Sequence, residues 1–261
     1  MPVESEAPGG RDVVGAVLKA CTLLGHFSAD RPAWTLNDLT VASGMNKTTV
    51  FRLMATLIQA GWVDRTDEGG YRIAMPVFEI GSAALSKLDI RAAAKPFMSD
   101  LATTFGNTAY LMVPAEQGAV CIDLLEGRNS LVVAGINVGS VMPYHAAAGP
   151  VVMLAHSEAL RDRWIGENLP AITDRTITDP GRLVEHLDEI VEAGYSLSNS
   201  DYLPGVAAVA APILGRDGSV VASISVGGRA EEFQDDVLAA KIDKVRNAGA
   251  RITRIVQALP R

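Results

Sequence analysis

Residues 36–74 read LNDLTVASGMNKTTVFRLMATLIQAGWVDRTDEGGYRIA, a pattern that predicts two short helices, a tight turn between them and a small hairpin. Thr35 can cap the first helix, with Asp38 at the third position to reach back towards the cap. Gly44 ends that helix where the chain must turn, and Asn46 is a favourable cap for the second helix. Gly61 suits the position just after the second helix. This order of elements predicts a winged helix-turn-helix.

The apolar spacing indicates which helix faces are buried. In the second helix the residues at the i, i+3, i+4, i+7 and i+8 positions are apolar and predict a core-facing stripe; they are Val50, Leu53, Met54, Leu57 and Ile58. The opposite face carries Thr48, Arg52, Ala55, Thr56 and Gln59. The apolar side of the first helix is predicted to contain Leu36, Leu39 and Val41. The two hairpin strands are predicted at residues 62–65 and 71–74.

The second helix has the size and chemistry of a DNA-reading element. The major groove of B-DNA, about 12 Å wide, admits one α-helix, and the N-terminal residues of that helix contact base edges. A polar helix face on its own is more often only a solvated surface. The turn and the hairpin reverse that balance, because an ordinary surface helix needs neither of them. The predicted DNA-binding residues are Lys47, Thr48, Thr49 and Arg52 on the helix, with Arg65 and Arg72 in the hairpin as phosphate contacts.

Composition and charge agree with a local DNA reader coupled to a larger acidic domain. The chain has 261 residues, of which 48% are hydrophobic and 20% charged, so it is long enough for two globular domains. The formal net charge is −7. Residues 11–76 hold seven basic and six acidic side chains, whereas the rest holds 16 and 24, so only the first segment is tolerable to DNA. A single reader of net charge +1 predicts a protein that is at least dimeric.

The remaining chain predicts helices, then strands, then a closing helix, which is an α+β arrangement. Residues 13–27 should be an amphipathic helix whose apolar face, with Val14, Val17, Leu18 and Leu24, completes a three-helix core. Further helices are predicted at residues 77–87, 91–105, 180–193 and 234–259, and strands at residues 108–113, 119–125, 131–136, 195–197, 206–213 and 220–226. Residues 139–150 are predicted to be a loop that leads into a short helix with Pro150 at its first position. The predicted domains are a disordered lead-in (1–10), the winged helix-turn-helix (11–75), a linker helix (76–89) and an effector-binding domain (90–261).

Several other classes of function lack their motifs. Cys21 and Cys121 are expected to be buried thiols, and the four histidines show no metal-ligand spacing. There is no nucleophile elbow, phosphate-binding loop or dinucleotide fingerprint, so no catalytic residue, metal or cofactor is predicted. His145 is expected to donate to a backbone carbonyl and fix its loop. With no signal peptide and no apolar run of about 20 residues, a cytoplasmic protein without a membrane partner is expected.

Three stretches resemble the IclR family of bacterial transcriptional regulators, and together they extend the likeness over residues 13–259. SGMNKTTVFRLMATLIQAGWVD (43–64) and YRIAMPVFEIGSAAL (71–85) resemble the family's reader and linker. MPYHAAAG (142–149) resembles its motif of a proline, a histidine, small residues and a glycine. The third stretch resembles the C-terminal signature and comprises Gly194, Tyr195, Asp201, Gly205 and the segments 209–213 and 222–228.

The resemblance implies an N-terminal winged helix-turn-helix followed by a GAF/PAS-like antiparallel sheet domain flanked by helices. It also implies a homodimer or dimer of dimers that binds double-stranded operator DNA and a small-molecule effector. Carried over to this chain, the effector-binding positions are Met142, Ala146, Ala147, Gly149, Ser198, Asp201, Ala208, Ser225 and Gly227.

This chain departs from the family pattern in ways that bear on the effector. Pro150 stands where the family usually has a lysine, and Ser198 and Ala208 stand where several relatives place an acid or a thiol. A pocket so poor in polar groups favours an apolar or aromatic effector. The overall expectation is a small organic effector, carboxylic or aromatic. Two alternatives stay open: an enzyme acting on a small molecule in the C-terminal domain, and a DNA-binding repressor without an effector.

Overall fold

The computed structural model describes residues 13–28, 31–86, 90–128, 136–166 and 169–258, and the chain divides into two compact units, residues 1–87 and 88–261. The expected lead-in at residues 1–10 and most of the strand expected at 131–136 lie outside the described residues. Within the described ranges, no helix is both long and apolar enough to cross a membrane.

The first unit is a three-helix core with a small sheet. Its elements in chain order are α1 (Gly15–Leu24), β1 (Ala33–Trp34), α2 (Leu36–Ser43), α3 (Lys47–Gln59), β2 (Val63–Arg65), β3 (Tyr71–Ile73) and α4 (Met75–Ser86). The antiparallel sheet has the strand order β1-β3-β2. The core of this unit combines buried side chains from all three helices and from the sheet, among them Leu23, Leu39, Val50, Met54 and Tyr71.

Local capping sets the ends of α2 and α3 as the sequence predicts. The Thr35 hydroxyl accepts a hydrogen bond from the Asp38 amide at 3.1 Å, and the Asn46 side chain accepts one from the Thr49 amide at 2.8 Å. Gly44 closes α2 with a φ of 64°, and Gly61 follows α3 with a φ of 74°. Both are left-handed conformations that a residue without a side chain adopts at no steric cost.

Besides the apolar face of α1, four expectations about the first unit are wrong. Val41 is 83% exposed and does not contribute to the buried side of α2. The Asp38 carboxylate does not reach back to the cap but pairs with Arg31 at 2.9 Å. The wing has a third strand, β1, and the thiol of Cys21 is exposed.

Three of the four residues on the predicted apolar face of α1 do not enter the core, while the fourth, Leu24, packs against it. Val14, Val17 and Leu18 are exposed, and Leu23 is the buried side chain of this helix. Val14, Val17 and Leu18 therefore form a surface of the unit, whereas Leu23 and the partly buried Leu24 pack in its core.

The second unit is a six-stranded antiparallel sheet covered by helices. Its elements in chain order are α5 (Ile90–Phe105), β4 (Thr108–Ala115), β5 (Gly118–Leu125), β6 (Val141–Met142), α6 (Ala148–Ala155), α7 (Glu158–Trp164), α8 (Pro180–Ala193), β7 (Ser196–Asn199), β8 (Val206–Leu214), β9 (Val220–Arg229), a 3₁₀ turn (Ala230–Glu232) and α9 (Asp235–Ala258). The strand order is β6-β5-β4-β9-β8-β7.

The two faces of this sheet pack against different helices. α6 lies on β8 and β9 and is backed by α8, whereas α9 and α5 pack together and contact β8 and β4. Alternate residues of β8 point to opposite faces. Ala210 belongs to the cluster around α6, while the Ala211 side chain lies 2.9 Å from where a Cβ on Gly249 of α9 would stand. Small residues at these positions let both helices come close to the strand.

Some sequence expectations about the second unit need correction. Pro150 occupies the third position of α6 and not the first, because the helix begins at Ala148. That position still lies in the first turn, where an amide has no intrahelical partner. β6 occupies part of the segment expected to be a loop, and α7 was not expected. α8 begins as its sequence suggests, with the Asp179 side chain as its cap and Pro180 at the start.

A buried lysine joins the end of β9 to α9. Lys241 is 1% exposed, and its Nζ donates to the Glu232 carbonyl oxygen at 2.7 Å and lies 3.7 Å from the centre of the Phe233 ring. The Glu232 carboxylate accepts from the Asn107 amide at 2.5 Å, and that amide occupies the space that a Cβ on Gly228 would need. Burial lowers the pKa of Lys241 to about 8, against the opposing attraction of the Glu232 carboxylate.

This lysine should make stability depend on pH in the alkaline range. Its pKa in the folded protein, about 8, lies below the ordinary value of 10.5, so unfolding takes up a proton between these pH values. The free energy of unfolding should therefore rise by about 1–3 kcal/mol from pH 8 to 10.5 and be flat on this account below pH 8. Urea unfolding across this range should show the rise in the wild type and not in Lys241→Met. Lys244→Met is the control, since Lys244 pairs with Asp100 at the surface, and an equal loss of slope in it would contradict the assignment.

Candidate functional site

The recognition helix α3 presents its polar face to solvent. Lys47, Thr48 and Arg52 are exposed in its first two turns, and Thr49 is partly buried beside α1. The cap at Asn46 fixes the start of the helix, so the backbone that carries these side chains is well ordered. The predicted reading residues of the helix therefore lie on or beside the surface that a major groove could accept.

One residue on this surface gave no signal in the sequence analysis. Phe51 is 49% exposed and lies on the same side of α3 as Lys47 and Thr48, four and three residues away. Thymine offers a methyl group in the major groove, and an apolar side chain is its natural contact. The sequence pattern assigned Phe51 to neither face of the helix, and the orientation of α3 shows that its side chain faces out.

The two wing arginines are held by their own hairpin. The Arg65 guanidinium donates to the Gly69 carbonyl oxygen at 2.8 Å and lies 4.4 Å from the centre of the Tyr71 ring. Arg72 lies 3.8 Å from the Asp64 carboxylate. Arg65 is thus a pre-oriented cation, whereas the charge of Arg72 is partly balanced within the wing.

A small cavity lies in the core of the second unit, between the N-terminal end of α6 and strands β4, β8 and β9. Its volume is about 40 Å³. Seven of the predicted effector residues line it: Met142, Ala147, Gly149, Ser198, Ala208, Ser225 and Gly227. The wall also includes residues that the sequence analysis did not select, namely Tyr110, Met112, Ile136, Ala148, Pro150, Tyr202, Leu203 and Val206.

The two remaining predicted residues do not line this cavity. Ala146 is fully buried next to it. The Asp201 carboxylate accepts hydrogen bonds from the Ala147 amide, at 3.1 Å, and from the Ser198 hydroxyl. Asp201 therefore positions the loop before α6, which Ala147 enters with a φ of 63°.

Further hydrogen bonds fix the segment between β7 and β8 that closes the cavity. Thr173 and Thr176 donate their hydroxyls to the carbonyl oxygens of Ser200 and Asp201, at 2.8 and 2.7 Å. Ser196 of β7 donates to the Ala148 carbonyl oxygen at 2.6 Å. Tyr202 and Leu203 lie in this segment and contribute to the cavity wall. The threonine contacts fix the backbone just before them, and the Ser196 contact ties the edge strand β7 to the start of α6.

The polar character of the cavity comes from hydroxyl groups. Of the described residues that line it, none carries a charged side chain. Ser223 lies beside Gly149, and its buried hydroxyl has no hydrogen-bond partner among the described residues. A polar group on a ligand would meet hydroxyls and backbone amides here, not a counter-ion.

The other titratable groups nearby have structural contacts. His145 Nε2 lies 2.9 Å from the Pro170 carbonyl oxygen, which places the proton of that bond on Nε2 and confirms that the histidine fixes its loop. Burial raises the pKa of the Cys121 thiol to about 11, so it stays protonated and a poor nucleophile. In the part of the chain that the structure describes, no group of histidine, cysteine and acidic side chains could hold a metal ion.

A winged helix-turn-helix followed by a second domain built on an antiparallel sheet defines a class of two-domain DNA-binding regulators. A family model described as the IclR helix-turn-helix domain matches residues 16–67, and one described as the C-terminal domain of the bacterial transcriptional regulator IclR matches residues 82–254. The chain belongs to the IclR family of bacterial transcriptional regulators. It is therefore a DNA-binding regulator and not an enzyme.

Individual relatives resemble the chain over almost its whole length. The transcriptional regulator KipR of Bacillus subtilis is 30% identical over 91% of this chain and 95% of its own length. The structure of an IclR transcriptional regulator from Silicibacter sp. superposes with a TM-score of 0.83 at 29% identity, covering 94% of this chain and 98% of that one. An IclR homologue from Microbacterium hydrocarbonoxydans, solved with 4-hydroxybenzoate, has a TM-score of 0.79 at 23% identity and covers 94% of this chain and 100% of that one.

Arg52→Ala should weaken binding to the cognate operator by about 1–3 kcal/mol if the guanidinium contacts a base pair through two hydrogen bonds. The side chain is exposed on α3, so the folded domain should keep its thermal stability. Fluorescence anisotropy with operator and unrelated duplexes measures both affinity and specificity. Arg182→Ala, an exposed arginine of the second unit, is the matched control, and equal affinities for all three proteins would remove Arg52 from the interface.

Proposed function

We propose that this regulator binds operator DNA through α3 and the wing and that a small organic effector in the second unit modulates this binding. The predicted DNA contacts are Lys47, Thr48, Thr49 and Arg52, with Arg65 and Arg72 at phosphates. Carboxylic and aromatic compounds are the candidate classes of effector. The observation that carries the proposal is the cavity before α6, which is lined by seven of the residues that the family resemblance indicated as effector-binding. The complex of a homologue with 4-hydroxybenzoate supports a ligand of this size.

In the present conformation the cavity is too small for such a ligand. About 40 Å³ holds roughly one water molecule, so an aromatic compound requires side chains of the wall to move. Tyr202 and Leu203 are only partly buried and lie on the connection between β7 and β8, which makes them the wall residues with most room to move. A ligand that binds the expanded state better than the closed one shifts the equilibrium between them, and this difference in affinity is the source of any signal.

The hydrogen bonds around Asp201 offer a route by which a change in the cavity wall would be transmitted to the rest of the second unit. Displacing Tyr202 moves its neighbour Asp201, whose carboxylate holds the Ala147 amide at the start of α6. The two threonine contacts at Ser200 and Asp201 would move with it. A coupling of about 1–3 kcal/mol between effector and operator would be ordinary for such a system.

We also propose that the functional species is at least a dimer. The first unit leaves two apolar surfaces uncovered, one on α1 with Val14, Val17 and Leu18, and one on α4 with Met75, Phe78 and Ile80. Apolar side chains gathered on two helices in this way are typical of protein interfaces. Two readers related by a two-fold axis would also read an imperfect palindrome, which overcomes the weak charge of one reader. In this arrangement α4 links the reader at residues 11–75 to the effector domain at 90–261.

Two substitutions at the cavity should act in opposite directions on effector binding. Ala208→Val adds two methyl groups to the wall and should fill the cavity, which reduces the thermal shift that an effector produces. Leu203→Ala removes a side chain from the wall and should admit larger ligands, with a loss of stability of about 1–2 kcal/mol. A thermal-shift screen of small carboxylic and aromatic compounds, followed by titration against operator-bound protein, measures both effects. If both variants release operator like the wild type, the effector binds elsewhere; if no compound has any effect, the regulator works without an effector.

Charge substitutions on the apolar surfaces should separate the subunits. We expect Leu18→Asp and Phe78→Asp to shift the protein towards monomer at micromolar concentration, because each would place a charge in an apolar interface. Light scattering gives the mass, and operator affinity should fall with it. Val41→Asp is the control, since Val41 is an equally apolar and more exposed residue of α2. A wild type that is monomeric, or variants that stay dimeric, would contradict this use of α1 and α4.

A further inference from the structure

We propose that the effector is uncharged at neutral pH, a small aromatic or aliphatic molecule that carries hydroxyl, carbonyl or amide groups in place of a carboxylate. This inference rests on the proposed function, because it narrows the ligand of the same cavity. Of the two candidate classes of effector, the inference excludes carboxylic acids, which are ionised at neutral pH. Three observations on the cavity wall support it, and each concerns a different way in which a protein holds an anion.

The first observation is the lack of a counter-ion. Among the described residues of the wall, polar side-chain atoms come from Tyr110, Ser198, Tyr202 and Ser225, and all four are hydroxyls. Transfer of a carboxylate from water into such a site leaves its charge uncompensated, whereas a neutral polar group needs only one or two hydrogen bonds. A hydroxyl can donate or accept, which suits ligand carbonyls, amides and phenols. The Ser198 hydroxyl already donates to Asp201, so it can only accept from a ligand.

The second observation concerns the backbone amides at the start of α6. A helix N-terminus normally offers several free N–H groups to an anion. Here the third residue of the helix is Pro150, which has no N–H, and it lines the cavity. The Ala147 amide, just before the helix, already donates to Asp201. The end of α6 is therefore a reduced anion site even before any ligand arrives.

The third observation is that the chain supplies its own anion at this end. One oxygen of the Asp201 carboxylate accepts from the Ala147 amide and the other from the Ser198 hydroxyl. Ala147 and Ser198 both line the cavity. The Asp201 carboxylate therefore lies directly behind the wall, in hydrogen-bond contact with two of its residues. A ligand carboxylate would meet a like charge across a region of low dielectric constant, and a neutral ligand would not.

The test compares ligands that differ in charge and hardly in shape. The probes are the pairs benzamide and benzoate, 4-hydroxybenzamide and 4-hydroxybenzoate, and phenylacetamide and phenylacetate, added to the full chain at neutral pH. Thermal shifts screen the pairs, and calorimetry measures the affinity of those that bind. We expect the amide of a binding pair to bind at least about tenfold more tightly than the acid. An acid that binds as tightly as its amide, or a failure of every amide to bind, would overturn the inference.

A single substitution isolates the contribution of Asp201. In Asp201→Asn the amide oxygen can still accept from Ala147 and the amide nitrogen can donate to Ser198, so the loop keeps its hydrogen bonds while the charge is lost. We expect the affinity for the acid to rise about tenfold relative to that for the amide. Asp174→Asn, which removes an exposed carboxylate from the segment that contacts Ser200 and Asp201, should leave the preference unchanged. An unchanged preference in Asp201→Asn, with the wild-type melting temperature retained, would contradict the role of this carboxylate.

Operator release separates this inference from the function on which it rests. An acid that binds the cavity and releases operator would leave the proposed regulation intact and overturn the neutral-ligand inference. An amide that binds without changing operator affinity would support the inference and contradict the regulation. A protein that binds operator and no member of either series would contradict both.

Discussion

Strand β8 is pressed by helices from both sides, and the second unit depends on its ability to accept them. Its sequence, VAAVAAPIL, places two alanines on each face, so α6 and α9 can each lie close to the same strand. Glycines complete the fit, since a Cβ on Gly149 would stand 3.1 Å from the Met112 sulfur and one on Gly249 would stand 2.9 Å from the Ala211 side chain. Protein interiors are densely packed, and where small residues meet without a helix ridge between them a void remains. The cavity before α6 is such a place.

Local rules explain why the first unit could be predicted in such detail. The caps at Thr35 and Asn46 and the turn at Gly44 each depend on a few neighbouring residues, so their signals are present in the sequence itself. β1 is different, because its two residues become a strand only through pairing with β3, nearly forty residues further along the chain. The prediction for the apolar face of α1 was wrong for a related reason. Periodicity shows that a helix is amphipathic, but it does not show whether the apolar side packs in the core or lies at the surface.

The site shows the same division between local and tertiary information. Small residues before α6 and on the strands leave space in the core, and Ala147, Gly149 and Ala208, which the family resemblance indicated, line that space. What fills that space cannot be read from them, because Tyr202 and Leu203 reach the cavity only through the course of the connection between β7 and β8. Asp201 was placed correctly in the neighbourhood, but its role as a contact to the Ala147 amide depends on a backbone conformation that no spacing rule specifies.

The contact between Asn107 and Gly228 carries a consequence for how this chain can diverge. The Asn107 amide fills the volume beside Gly228 and bonds to Glu232, which in turn accepts Lys241 through its carbonyl oxygen. A side chain at position 228 would displace the amide and leave the lysine beneath it poorly placed. Substitutions at these two positions are therefore coupled, because a side chain at 228 fits only if the residue at 107 is smaller or turned away.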